Sequence, residues 1–167
     1  YTFTLRKDAL WHDGEKVSVR DIIFTFTSIQ NTAYQSPLTP TFRTVSVEQV
    51  DDQTVAFRLN EPFRSFLSSL TVGILPTHIW EEYEPSVARL AETNLSPIGS
   101  GPYKFLEYEK DNKGIIRSYR LKRFASFYGG PPFIDLLELK FYSDPESAVD
   151  ALKNRRIEGV AYLQNSG

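Results

Sequence analysis

Between Pro97 and Tyr103 the chain reads Pro-Ile-Gly-Ser-Gly-Pro-Tyr, and this run restricts the fold more than any other. Gly opens backbone angles closed to other residues, while Pro fixes φ and removes a donor. Pro97, Gly99, Ser100, Gly101, Pro102 and Tyr103 therefore read as a stiff, sharply folded connector, and an alternating strand from Lys104 to Glu109 begins directly after it. Such a segment suits a hinge-like crossing between two structural units, here residues 1–96 and 97–167.

The first unit opens on a strand, with Tyr1, Phe3 and Leu5 alternating against Thr2, Thr4 and Arg6. Trp11-His12-Asp13-Gly14 is a tight turn with Gly14 free to take positive φ. Ser18 then caps a helix running to about Asn31, Asp21 completes a capping box, and Ile22, Ile23, Phe26 and Ile29 supply a buried stripe. After a polar loop holding Pro37 and Pro40, Val45–Val50 and Thr54–Leu59 flank Asp51-Asp52-Gln53 as a β-hairpin. Pro62 opens a short helix bearing Phe63, Phe66, Leu67 and Leu70, and two more short helices are expected near Thr77–Tyr83 and Pro85–Glu92.

In the second unit Tyr103–Glu109 and Ile115–Arg123 pair across the turn Asp111-Asn112-Lys113-Gly114. Ile134–Tyr142 is a strand with Leu137, Leu139 and Phe141 on one face. Asp144 caps a helix with Pro145 at its first position, its buried side marked by Ala148, Val149 and Leu152. A closing strand at Ile157–Leu163 would complete a right-handed parallel strand–helix–strand unit.

A formal net charge of −2 argues against a dedicated nucleic-acid binder. The one basic run, Arg117–Arg123, alternates around Tyr119 and Leu121 as a solvated strand face does. The absence of cysteine removes disulfides, thiolate catalysis and sulfur-ligated metals. No 18-residue apolar run is present, so no membrane span is expected in this segment. The chain opens inside a strand pattern without an initiator Met, which reads as an internal piece of a longer protein, so missing targeting signals carry no information about location.

Candidate chemistry is sparse. His12 and His78 are the only histidines, and neither has companions at ligand spacing, so no metal and no cofactor is expected. Asp13 with Glu15, Asp51 with Asp52, and Glu81 with Glu82 are sequence neighbours rather than carboxylates converging across a cleft; turn chemistry explains the aspartates. Ser100 between two glycines lacks the strand-to-helix context of a nucleophile elbow, and no helix follows the glycines to cradle a phosphate. Trp11 suits a core aromatic fixing the turn better than a stacking platform. No catalytic residue is assigned.

Six motifs in order resemble the solute-binding proteins of ABC importers in the oligopeptide/dipeptide/nickel class, solute-binding protein family 5. They are Phe3-Thr4-Leu5-Arg6 with Trp11-His12-Asp13-Gly14; Val17-Ser18-Val19-Arg20-Asp21; Asp51–Leu59 with Pro62 and Phe66; Leu75-Pro76-Thr77-His78-Ile79-Trp80; Pro97–Tyr103; and Leu121-Lys122-Arg123 with Phe127-Tyr128, Gly130 and Pro132. Each is weak alone, and their order over nearly the whole chain is what makes the set specific. Four positions depart from the family pattern: Ser100 for Thr, Phe124 for Asn, Phe127-Tyr128 for Tyr-Trp, and Asn154-Arg155-Arg156-Ile157-Glu158, which offers no Gly to the helix C-cap.

The resemblance implies an α/β to α+β fragment of a two-lobed periplasmic-binding-protein-like fold. Residues 1–96 would be most of a small subdomain on the first lobe and 97–167 part of that lobe, with the second lobe absent. It implies a periplasmic or extracellular receptor, membrane-associated if a lipoprotein, that captures peptide and delivers it to a membrane ABC permease. A nickel chelate, sugar or opine is the alternative cargo. By position in the family, Leu38 to Phe42 and Thr71, Val72, Gly73 and Ile74 would lie on the cleft side, with packing of the subdomain as their other reading. Two other functions stay open from the residues: a sensing or interaction module reusing the fold, and a carboxylate-dependent hydrolase.

Overall fold

The computed structural model describes residues 1–62 and 64–161. Its elements are β1 (Thr2–Thr4), α1 (Val19–Gln30), α2 (Thr39–Phe42), β2 (Val45–Gln49), β3 (Thr54–Leu59), α3 (Phe66–Ser69), α4 (Thr77–Trp80), β4 (Tyr103–Lys110), β5 (Ile116–Arg123), β6 (Leu136–Lys140) and α5 (Pro145–Lys153). Single 3₁₀ turns lie at Thr32–Tyr34, Ala88–Leu90 and Glu92–Asn94. The chain forms two compact units, one of residues 1–105 and 122–135, the other of 106–121 and 136–167. The Pro97–Tyr103 connector therefore lies inside the first unit, and the division falls within β4 and β5.

In the first unit an antiparallel sheet of order β1-β3-β2 packs against α1. The hairpin register pairs Val45 with Leu59 and Gln49 with Val55, which turns Val45, Val55 and Phe57 into the core. Four aromatic rings fill the centre. Phe26 meets Phe42 at 5.0 Å and Phe57 at 4.9 Å, both edge-on, and Phe66 closes the group 5.9 Å from Phe57. Each such side chain contributes about 1.5–3 kcal/mol by burial, and the edge-on geometry suits the ring quadrupoles. Gln30 joins three elements, its Nε2 donating to the carbonyls of Phe42 at 2.8 Å and Val45 at 2.6 Å.

The helix start at Ser18 and the hairpin lie where the sequence pattern puts them. The shorter helices do not. The helix after Pro62 is the single turn α3, beginning at Phe66, with Leu67 exposed; Phe63 lies outside the described residues. Thr77–Tyr83 shortens to α4, and the stretch expected as a helix at Pro85–Glu92 holds only 3₁₀ turns. Conversely, the loop with Pro37 and Pro40 contains α2, because Phe42 is drawn into the core and Pro40 fits a first helical turn.

In the second unit the strands are ordered β4-β5-β6. Asp111 closes the β4–β5 turn, its Oδ1 accepting the N–H groups of Lys113 and Ile115. The arginines of the basic run on β5 are paired: Arg117 with Asp111, Arg120 with Glu107, Glu109 and Glu138, and Arg123 with Asp135. That is a solvated charge ladder, as the alternation implied. The opposite face carries Leu139 and Phe141, each about half exposed at 48% and 50%.

Asp144 caps α5 by accepting the Ser147 N–H at 2.7 Å. Its most buried residue is Ala151, not one of the three expected. The expected strand at Ile157–Leu163 is not formed across 157–161, where no ladder partner is present among the described residues; 162 and 163 lie outside them. Without that strand no crossover unit exists in the described chain. A strand is defined by the ladder it joins, and alternation alone does not supply one.

Candidate functional site

Three of the sequence motifs meet at one buried carboxylate. Asp21 sits in the first turn of α1 and is 3% exposed. Its Oδ2 accepts the Ser18 N–H at 2.8 Å, the Ser18 hydroxyl at 2.9 Å and the Trp11 indole N–H at 3.3 Å, while Oδ1 accepts the Thr77 N–H at 2.8 Å. The capping box is thus one part of a larger knot that binds the Trp11 turn, the start of α1 and the start of α4. Thr25, one turn on, extends it: its hydroxyl donates to the Asp21 carbonyl at 2.7 Å and accepts the Leu75 N–H at 2.8 Å. Trp11 is 1% exposed, so it is a core aromatic and not a stacking platform.

The next residue of the same turn grips the connector. His12 N–H donates to the Gly99 carbonyl at 2.8 Å, Gly99 N–H donates to His12 Nδ1 at 3.1 Å, and His12 Nε2 lies 3.0 Å from the Gly101 carbonyl. Lys104 Nζ donates to the His12 carbonyl at 3.2 Å. Phe124 stands edge-on to the imidazole at 5.1 Å and lies beneath Lys104. The departure from Asn at position 124 therefore substitutes an aromatic wall for a turn bond.

At Gly99 glycine serves the connector through closeness, not through unusual φ. Positive-φ glycines among the described residues are Gly14, Gly114 and Gly130, so Gly99 and Gly101 do not use the left-handed freedom their motif suggested. A Cβ on Gly99 would instead lie 3.3 Å from His12 Cε1. Beside the clasp is an open groove of about 230 Å³ walled by His12, Asp13, residues 96–98, Lys104, Phe105 and Lys122.

One carboxylate of each candidate acid–base pair is engaged structurally. Asp13 Oδ2 faces His78 Nε2 at 2.7 Å, and its Oδ1 accepts the Glu15 N–H at 3.1 Å. Burial pushes the Asp13 carboxyl up, but the His78 contact and the Glu15 N–H outweigh it and hold it below the usual carboxylate range. Glu81 pairs with Arg20, and Asp51 Oδ1 caps its turn at Gln53 N–H, 2.8 Å away. Both ring nitrogens of His12 are taken by backbone groups. Among the described residues no three His, Cys, Asp or Glu side chains are placed to hold a metal ion, and no helix is long and apolar enough to cross a membrane.

The residues placed on the cleft side by position separate into two sets. Phe42 is fully buried among Phe26 and Phe66, so the packing role applies to it and direct ligand contact does not. Val72 and Ile74 rest against the same core. Leu38, Thr71 and Gly73 are exposed, with the Thr71 hydroxyl donating to the Ser68 carbonyl at 2.9 Å. Sequence reasoning missed Thr25, though its hydroxyl lies at the ordinary i to i−4 spacing from the Asp21 carbonyl, missed Thr77, whose separation from Asp21 carries no local signal, and underread Asp21 as a cap alone.

A family model described as bacterial extracellular solute-binding proteins, family 5 middle, matches residues 1–167. A Brucella ovis protein provisionally named as an ABC transporter peptide-binding protein is 35% identical over 161 residues, covering 95% of this chain and 29% of its own. The crystal structure of NikZ from Campylobacter jejuni in complex with Ni(L-His) superposes with a TM-score of 0.83 at 33% identity, covering 94% of this chain and 30% of that one. AppA from Bacillus subtilis, an oligopeptide-binding protein in complex with a nonapeptide, gives a TM-score of 0.85 at 26% identity, with 94% and 31% covered. The chain thus spans less than a third of the length of these relatives.

Proposed function

Because the chain belongs to the bacterial extracellular solute-binding proteins of family 5, we propose that it is one segment of a two-lobed receptor that captures peptides outside the cytoplasm and passes them to an ABC permease. The observation that carries this reading is the match along all 167 residues, joined to close superposition on a receptor holding a nonapeptide. Residues 1–96 form most of the small subdomain of the first lobe and 97–167 part of the lobe itself. Leu38, Thr71 and Gly73, being exposed, are the positions free to meet cargo, with Phe42, Val72 and Ile74 supporting them from the core. Capture proceeds by lobes closing on the ligand, with the Pro97–Tyr103 connector as a fixed part of the frame about which they move. No bond of the ligand is made or broken, in keeping with the structural engagement of Asp13, Asp51 and Glu81. The receptor is periplasmic, or lipid-anchored at the cell surface.

Native mass spectrometry of the full-length protein, purified without refolding, tests this. A mixture of short co-purifying peptides is the expected result. A single metal chelate or sugar would keep the receptor and replace its cargo. An empty protein showing no thermal shift with peptide, sugar or nickel libraries would overturn the proposal.

A further inference from the structure

The imidazole of His12 is held between two backbone groups that leave it a single protonation state. Gly99 N–H can only donate, so Nδ1, 3.1 Å away, is an unprotonated acceptor. The Gly101 carbonyl can only accept, so Nε2, 3.0 Å away, carries the proton. Both contacts are satisfied together by the neutral Nε2–H tautomer and by no other form. A proton on Nδ1 would set two donors head to head at Gly99 and force that arm apart.

The surroundings resist such a proton. Lys104 on β4 donates to the His12 carbonyl and stands over the Phe124 ring that braces the imidazole. Lys122 on β5 lines the same groove. Asp13, the adjoining carboxylate, is already tied to His78 of α4. We infer that His12 is a proton-sensitive clasp on the connector, shut while the imidazole is neutral and released at Gly99 when Nδ1 is protonated.

The direction in pH follows. Burial holds the imidazole below the ordinary histidine range; the Gly101 bond works against that, Lys104 adds to it and Asp13 opposes it. A base whose pKa is lowered on folding stabilises the structure fully above its unfolded value, and that stabilisation disappears as pH falls through the lowered native value. The connector is therefore locked at neutral pH and loosened in acid. This inference goes beyond the receptor reading, since it needs no ligand and holds whatever the cargo.

The test uses the full-length protein labelled with ¹⁵N at histidine and glycine, titrated from neutral pH into acid. The expected spectra show His12 as the Nε2–H tautomer at neutral pH. As His12 protonates, hydrogen-exchange protection of the Gly99 amide should fall about tenfold, the worth of one ordinary hydrogen bond. In His12→Asn the amide oxygen takes the place of Nδ1 as an acceptor that does not titrate, while every other titrating group remains. Gly99 protection should then stay level over the same range. An Nδ1–H tautomer or a charged ring at neutral pH would overturn the inference. So would unchanged Gly99 protection as His12 titrates, or the same fall in His12→Asn. The wild-type titration decides by itself if that variant does not fold.

Discussion

Asp21→Asn tests the claim that one carboxylate ties three motifs together. The variant keeps size and shape but exchanges one acceptor oxygen for an amino group. If the amino group takes the Oδ2 position it faces two obligate donors, the Ser18 N–H and the Trp11 indole N–H, with only the Ser18 hydroxyl able to turn and accept. If it takes the Oδ1 position it faces only the Thr77 N–H, so this orientation is preferred and the Thr77 bond is the one lost. Hydrogen bonds to a charged acceptor contribute about 1.5–3 kcal/mol, and a buried donor left alone costs about 1–3 kcal/mol. With the other three bonds weakened by loss of charge, the expected destabilisation is about 3–4 kcal/mol. Native-state hydrogen exchange read at the amides of Thr77 and Ser18 suits the question, because it reports local opening without requiring a two-state global transition. Thr77 should lose far more protection than Ser18. A variant within about 0.5 kcal/mol of wild type, inside the range of ordinary surface changes, would refute the knot. Equal losses at the two amides would refute the orientation argument.

Arg155 holds a left-handed φ of 55° while its N–H and that of Arg156 close the end of α5 onto Leu152 and Ala151, so Arg155→Gly should stabilise the helix end by about 1 kcal/mol, seen as a higher Tm; an unchanged or lower Tm would count against the cap. Asp13 is held below the usual carboxylate range, so its contact with His78 contributes stability above the unfolded carboxylate value that is lost as pH falls through the native one; Asp13→Asn should flatten the acid limb of a stability-against-pH curve, and an identical limb would exclude Asp13 as its source. Phe42→Ala should cost about 3–5 kcal/mol as a core cavity, whereas Leu38→Asp should leave the melt unchanged and weaken cargo binding by the full-length protein; the reverse pattern would exchange the roles assigned to these two residues.

What the sequence discloses here is what is local. Ser18 with Asp21 marks a helix start because both partners of a capping box lie within one turn. Asp51-Asp52-Gln53 marks a hairpin, and Asp144-Pro145 a second helix start, for the same reason. Thr77 is 56 residues from Asp21, and no periodicity connects them, so that arm of the knot was invisible. The one-turn helix α2 was not expected, and α3 is shorter than the helix expected after Pro62, because both serve to deliver Phe42 and Phe66 to the core and neither rests on high propensity. Arg155 illustrates the opposite limit. Its residue type argues against the left-handed region, yet two hydrogen bonds at the helix end hold it there. Among the residues placed by position, the division between exposed Leu38 and buried Phe42 needed the fold.

Motif residues that are turned toward one another cannot also be turned toward a ligand. Trp11, Asp21 and Thr77 direct their polar atoms inward to the same knot, and His12 gives both ring nitrogens to the connector. The stretches that make this chain recognisable are therefore its frame. A frame of this kind constrains how the Gly99–Gly101 segment is held, and Leu38, Thr71 and Gly73 take no part in the knot or the clasp.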